Sequence, residues 1–196
     1  MIVTVASFKG GVGKTTTALH LAAYLQQHAP TLVVDGDLNR SASEWARQEK
    51  LPFKVVDEKQ AIRFAKQYEH IVIDTPARPA PEELKTLASG CDLLVLPTSP
   101  DALALSAMLQ MVAALHALTS NYRILLTLIP PYPSKVGVET RATIEKASLP
   151  IFKSEIRRLA VFQRAALEGV RVCDVKDPYA KNAWRCYTAV GEEILP

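Results

Sequence analysis

Residues Lys9-Gly10-Gly11-Val12-Gly13-Lys14-Thr15-Thr16 gather three glycines, two lysines and paired hydroxyls in one short run. They directly follow the apolar stretch Ile2-Val3-Thr4-Val5-Ala6. A strand feeding a glycine-rich turn and then a helix opening at Lys14 is the arrangement of a phosphate-binding P-loop. Successive backbone N–H groups and the positive end of the helix surround phosphate oxygens. Lys14 is placed to reach β- and γ-phosphates, and the Thr15 hydroxyl to ligate Mg²⁺. The standard spacing asks for glycine five residues before Gly13. That position is Phe8, and Lys9 beside it sets a second lysine at the mouth of the loop. This is a nucleotide-phosphate site of unusual form.

Three carboxylates accompany it. Asp74 ends the run His70-Ile71-Val72-Ile73-Asp74, which has the form of a Walker B strand with a carboxylate aimed at Mg²⁺ or its waters. Asp35 and Asp37 close Val33-Val34-Asp35-Gly36-Asp37. Their i, i+2 spacing predicts both carboxylates on one side of an extended chain. One could hold the loop or a metal-bound water while the other orients an attacking water. In open α/β sheets, ligands lie beyond the carboxyl ends of the strands, where all these residues fall.

The elements that must position them alternate along the chain. Strands are expected at Ile2–Ala6, Thr31–Asp35, Ile71–Asp74, Leu93–Pro97 and Arg123–Ile129, with a weaker one at Phe53–Val56. Near-continuous Val, Ile and Leu suit parallel strands buried on both faces. Helices are expected near Lys14–His28, Ser41–Lys50, Lys59–Gln67, Pro81–Ser89 and Asp101–Leu118, with Ser41 and Asp101 as N-caps and Pro81 in a first turn. The β-α-β order implies right-handed crossovers and a three-layer α/β sandwich around a mostly parallel sheet. Residues 1–196 read as one domain, without repeats or linker.

Composition bounds the function classes. The chain of 196 residues is 48% hydrophobic, enough for a full core. No apolar run approaches the roughly 18 residues of a membrane span, and Met1 leads straight into the first strand with no signal-peptide pattern. Cys91, Cys173 and Cys186 lack metal-ligand spacing and read as reduced, buried thiols, which fits a cytosolic protein. The net charge of +3 is unevenly placed: residues 1–140 carry 13 Lys/Arg and 13 Asp/Glu, whereas residues 141–196 carry 10 against 7. Lys153, Arg157, Arg158, Arg164 and Arg171 fall close together there. They form either a solvated face or a polyanion-binding surface. Arg157, Arg164 and Arg171 recur every seven residues, a spacing that would stripe a helix, with Gly169 ending that helix before Arg171.

Together, Lys9–Thr16, Asp35–Asp37, Asp74-Thr75-Pro76 and Leu96-Pro97-Thr98-Ser99-Pro100 resemble the deviant-Walker ATPases of the ParA/MinD class. The resemblance implies a P-loop sandwich that binds ATP and Mg²⁺ and dimerises face to face around two nucleotides. Lys9 matches the family's signature lysine, which crosses the interface to the partner's phosphates. Asp37 matches the residue needed for hydrolysis, and Asp35 the one bracing the Mg²⁺ site. Leu38 stands where many relatives have proline. Trp184, Tyr187, Val190 and Ile194 lie at helical spacing near the end, but Glu192 and Glu193 argue for core packing over a membrane anchor. The chain is most similar to short ParA-like proteins that position plasmids, chromosomes or protein organelles over the nucleoid. In these, ATP dimers bind DNA without sequence preference and an adaptor stimulates hydrolysis. A membrane-bound MinD-type ATPase and a small-molecule P-loop enzyme are the alternatives, and the latter leaves Lys9 unexplained.

Overall fold

The computed structural model describes residues 1–116 and 121–195. Six parallel strands form one sheet: β1 (Ile2–Ser7), β2 (Thr31–Asp35), β3 (Lys54–Asp57), β4 (His70–Ala77), β5 (Leu93–Thr98) and β6 (Tyr122–Leu126), in the order β3-β2-β4-β1-β5-β6. β1 lies inside the sheet, flanked by β4 and β5, with Val5 opposite Asp74 and Val95. Asp35 in turn lies opposite Asp74. The order reverses about β1: β2 and β3 lie to one side, β5 and β6 to the other. A reversal of this kind opens a crevice at the strand ends, which is where the P-loop begins.

Alternating strand residues face two separate cores. On one side Val3, Val5, Val33, Val72, Val95 and Leu125 pack beneath α1 (Lys14–Leu25), α2 (Ser41–Ala46), α7 (Val161–Glu168) and α8 (Ala180–Ile194). On the other, Leu94, Leu96, Ile124 and Leu126 lie under α4 (Pro81–Ser89), α5 (Ala102–His116) and α6 (Val136–Lys146). Leu32, Val34 and Val56 are covered by Ala61 and Phe64 of α3 (Glu58–Phe64). The result is the expected three-layer sandwich. α8 approaches α1 so closely that a Cβ on Gly191 would clash with the Tyr24 ring. Tyr187 and Val190 of α8 are buried, so its apolar stripe is core. No helix among the described residues is long and apolar enough to cross a membrane.

Several expected boundaries move, each for a local reason. Ser41 does not cap α2. Arg40 occupies the cap position at φ 52°, and the buried Asp35 carboxylate accepts from the Ser43 N–H and hydroxyl instead. α2 stops at Ala46 rather than Lys50, because Gln48 and Lys50 donate to the Leu167 and Glu168 carbonyls and Glu49 turns left-handed at φ 54°. α1 stops at Leu25 and gives way to turns through His28. α3 closes as a 3-10 turn over Ala65–Gln67. β6 ends at Leu126, since Leu128 adopts φ 54° and Ile129 pairs with Ile156 and Arg158. Asp101 caps α5 as expected, accepting from the Ala104 N–H at 2.9 Å. The expected continuation of α5 to Leu118 lies outside the described residues. Helix α6 is not among the expected elements, whereas α7 is the helix that Gly169 is expected to end. The three thiols are free but only half-buried, a correction to fully buried cysteines.

Candidate nucleotide site

The loop between β1 and α1 is built to hold an anion. Gly11 and Gly13 stand at φ 77° and 84°, where a side chain would strain the backbone. A Cβ added at Gly10, Gly11 or Gly13 would meet nothing within 4 Å, so the concave side of the loop is open. α1 begins beside Gly13 with no side-chain cap and no acidic residue in its first turn, leaving its N–H groups to a ligand. The Lys14 side chain is drawn into the fold, with 7% of the residue exposed. Two further bonds fix the loop. Thr127 donates its hydroxyl to the Val12 carbonyl at 2.8 Å, and the Thr16 carbonyl meets His20 Nδ1 at 2.7 Å.

Asp74 lies behind Thr15, and the Thr15 hydroxyl donates to its Oδ2 at 2.7 Å. The other oxygen, Oδ1, is buried and finds no hydrogen-bond partner among the described residues. Burial pushes the Asp74 carboxyl up to about 7, with Asp35 and Asp37 adding to the rise and Thr15 and Lys14 opposing it. An unpaired oxygen on a carboxyl held near neutrality gains from an adjacent cation. The hydroxyl and carboxylate donors fit a hard divalent ion such as Mg²⁺. No group of three or more His, Cys, Asp or Glu among the described residues could hold a metal alone. Phosphate oxygens and water would therefore complete such a site.

Asp35 and Asp37 do not share one task. β2 ends at Asp35, the Gly36 N–H still donates to the Asp74 carbonyl, and the chain turns after Asp37, whose carbonyl accepts from the Arg40 N–H. Asp35 is fully buried: Oδ2 accepts from the Ser43 N–H and Oγ at 2.8 and 2.6 Å, and Oδ1 from the Asp37 N–H at 3.2 Å. Its role here is to brace the turn. Asp37 lines the cleft instead, with Oδ1 accepting from Asn39.

That cleft measures about 1630 Å³ and runs from Gly10–Thr16 past Asp37 to Thr127, Leu128, Pro131 and the segment Ile156–Ala160. Sequence reasoning missed this distal wall because it is assembled from segments far apart in the chain. Arg157 and Arg158 belong to it. The basic stretch accordingly does not form a helical stripe. Arg157 and Arg158 precede α7, Arg164 lies on α7, and Arg171 follows the left-handed Gly169 that terminates it, as expected. Arg164 pairs with Asp177 at 2.8 Å, and Arg171 makes a two-point contact with Asp174 at 2.7 and 2.8 Å. Lys153 is exposed. Lys181 and Arg185, one turn apart and exposed on α8, are basic residues that the search for a stripe overlooked.

A six-stranded parallel sheet with this loop, a carboxylate of β4 on its threonine and an open cleft defines a P-loop nucleotide-binding protein. Residues 3–172 match the CobQ/CobB/MinD/ParA nucleotide binding domain, and the chain belongs to that family. A relative from Gloeobacter kilaueensis, "Maintenance of carboxysome distribution protein A", is 36% identical over 98% of this chain and 93% of its own. Among solved structures, a variant of McdA from Cyanothece in complex with ATP superposes with a TM-score of 0.73 at 17% identity, covering 97% of this chain and 96% of that one. MinD complexed with Mg-ADP from Pyrococcus horikoshii OT3 gives a TM-score of 0.76 at 20% identity, covering 99% and 95%.

Proposed function

We propose that this protein is an ATP-dependent positioning ATPase of the ParA type, whose cargo is a carboxysome-like protein organelle. Its nucleotide state would set how long it stays on DNA. The observation that carries the reading is the P-loop with Lys9 at its mouth, Asp37 on the cleft wall and Thr15 bonded to Asp74. The cargo follows from the relative named for carboxysome distribution.

In this reading the Gly10–Gly13 backbone and the first turn of α1 bind the phosphates, and Lys14 neutralises them. Thr15 and Asp74 would hold Mg²⁺, which would supply neutralisation of the phosphate charge. Two subunits close face to face, and each Lys9 enters the partner's site to stabilise charge on the transferring phosphate, as an arginine finger does. Asp37 orients the attacking water. Asp35 acts indirectly, by holding the turn that carries Asp37. Loss of the γ-phosphate then loosens the dimer.

DNA contact rests on exposed basic residues of the last third. Lys153, Lys181 and Arg185 lie outside the nucleotide cleft, and Arg164 is partly neutralised by Asp177. Arg157 and Arg158 line the cleft and would serve nucleotide as well as DNA. A dimer doubles this surface, which gives salt-dependent, sequence-independent affinity. An adaptor protein is expected to stimulate hydrolysis and to supply the link to cargo. Mobility shift on unrelated DNA duplexes and liposome co-sedimentation, each with ATP and with ADP, test the reading. ATP-specific binding to every duplex and none to liposomes is the expected result. Liposome binding alone would favour a membrane-bound positioning ATPase, and binding to neither would favour a small-molecule enzyme.

A further inference from the structure

Lys9 does not project freely from the mouth of its loop. Its Nζ lies 2.7 Å from Oδ1 of Asp101, a residue 92 positions away at the start of α5. Asp101 is itself immobilised. Oδ1 also accepts from the Ala104 N–H at 2.9 Å, and Oδ2 from the Ser99 hydroxyl at 2.6 Å. The hydrogen bonds from Lys9 and Ser99 hold its carboxyl down at about 2, so it is charged throughout the physiological range. The backbone just before Lys9 is fixed as well. Arg78, left-handed at φ 57°, donates its Nε to the Phe8 carbonyl at 3.0 Å and its N–H to the Ser7 carbonyl at 3.1 Å. The Lys9 N–H donates to Ser7 Oγ at 3.1 Å. Lysine and carboxylate are thus held by different elements of one subunit.

We propose that Asp101 is a positioning residue for Lys9, latching the lysine onto its own subunit until a second subunit draws it away. The proposal rests on the reading that Lys9 acts across a dimer interface. An ammonium paired 2.7 Å from its own Asp101 cannot at the same time contact a partner's phosphates. The side chains are 31% and 48% exposed, so solvent screens the pair and the latch can open without unfolding anything. Two latches open for each dimer formed. If each favours the closed state about twofold, about a third of the monomers are competent at any moment and the dimer dissociation constant is raised about tenfold. Dimerisation then needs a higher protein concentration, and isolated monomers keep their lysines out of reach.

The test uses Asp101→Asn, which removes the charge, keeps one oxygen to accept from the Ala104 N–H and sets its amide against Ser99, whose hydroxyl can turn to accept from it. Without ATP, thermal midpoints of wild type, Lys9→Ala, Asp101→Asn and the double variant form a cycle. The double variant should lose no more stability than one single variant, because both remove the same contact. With ATP, sedimentation over a concentration series should show Asp101→Asn dimerising about tenfold more tightly than wild type, with the difference shrinking in high salt. Lys9→Ala should dimerise more weakly. A strictly additive cycle overturns the latch, as does an Asp101→Asn dimer no tighter than wild type. If Lys9→Ala dimerises and hydrolyses ATP like wild type, the cross-interface reading itself falls, and the latch with it. If Lys9→Ala weakens the dimer while Asp101→Asn fails to tighten it, only the latch falls.

Discussion

The Thr15 hydroxyl and the Asp74 carboxylate, 59 residues apart in the chain, meet at 2.7 Å behind the phosphate loop. The contact joins the first turn of α1 to β4, three residues before that strand ends at Ala77. It also leaves the second Asp74 oxygen buried and, among the described residues, without a partner, the place where a metal or its water would be held.

Lys14→Ala should weaken ATP binding about 30-fold or more. The lysine is drawn into the fold and supplies the fixed point charge of the cradle, and losing one partner of a buried charge pair costs at least about 2 kcal/mol. Isothermal calorimetry measures it directly. Unchanged affinity would remove the P-loop assignment.

Asp37→Ala should still bind MgATP but hydrolyse it about a hundredfold or more slowly, since the phosphate contacts remain while water orientation is lost. It should accumulate as an ATP-bound dimer in size-exclusion chromatography. A variant that hydrolyses normally would move the catalytic role elsewhere. Asp35→Ala should instead lower thermal stability, because its carboxylate braces Ser43 and Asp37.

Buried His20 makes stability depend on pH. Burial lowers its pKa from 6.5 to about 4, and Nε2 accepts from the Val172 N–H at 3.1 Å, which requires a neutral ring. The unfolded chain therefore binds more protons between those values. His20 contributes stability that is present above pH 6.5 and is lost as pH falls toward 4. Urea unfolding at pH 7.5 and 5.5 should differ by about 1 kcal/mol more in wild type than in His20→Gln. Equal pH dependence in the two proteins would refute it.

Lys153→Glu with Arg164→Glu should weaken DNA binding equally on unrelated duplexes and lower the salt slope by about one unit for each lost contact per subunit. ATP-driven dimerisation should survive, because neither residue lines the cleft. Normal DNA binding by this variant would make the basic stretch an ordinary solvated face.

The nucleotide site was legible because its determinants are local. The P-loop is one uninterrupted run, Asp37 lies just beyond the end of β2, and Asp74 closes the apolar run of β4, which continues as strand to Ala77. What could not be read depends on tertiary neighbours. The seven-residue recurrence of Arg157, Arg164 and Arg171 suggested one helical face, yet the chain pairs Arg158 with Ile129 before α7 begins and turns at Gly169 before Arg171. Ser41 is a good cap by type, but Asp35, fixed at the end of β2, reaches the first turn of α2 instead. No spacing rule brings Lys9 to Asp101, since α5 and the P-loop meet only once the sheet has formed.

The most direct measurement of the proposed trans mechanism mixes Lys9→Ala with Asp37→Ala protein and follows ATP hydrolysis. A mixed dimer would hold one complete site, with Asp37 from the Lys9→Ala subunit and Lys9 from the Asp37→Ala subunit. Hydrolysis in the mixture should therefore exceed that of either parent, at up to about half the wild-type rate per dimer. Activity that never rises above the parents at any ratio would contradict a lysine acting across the interface.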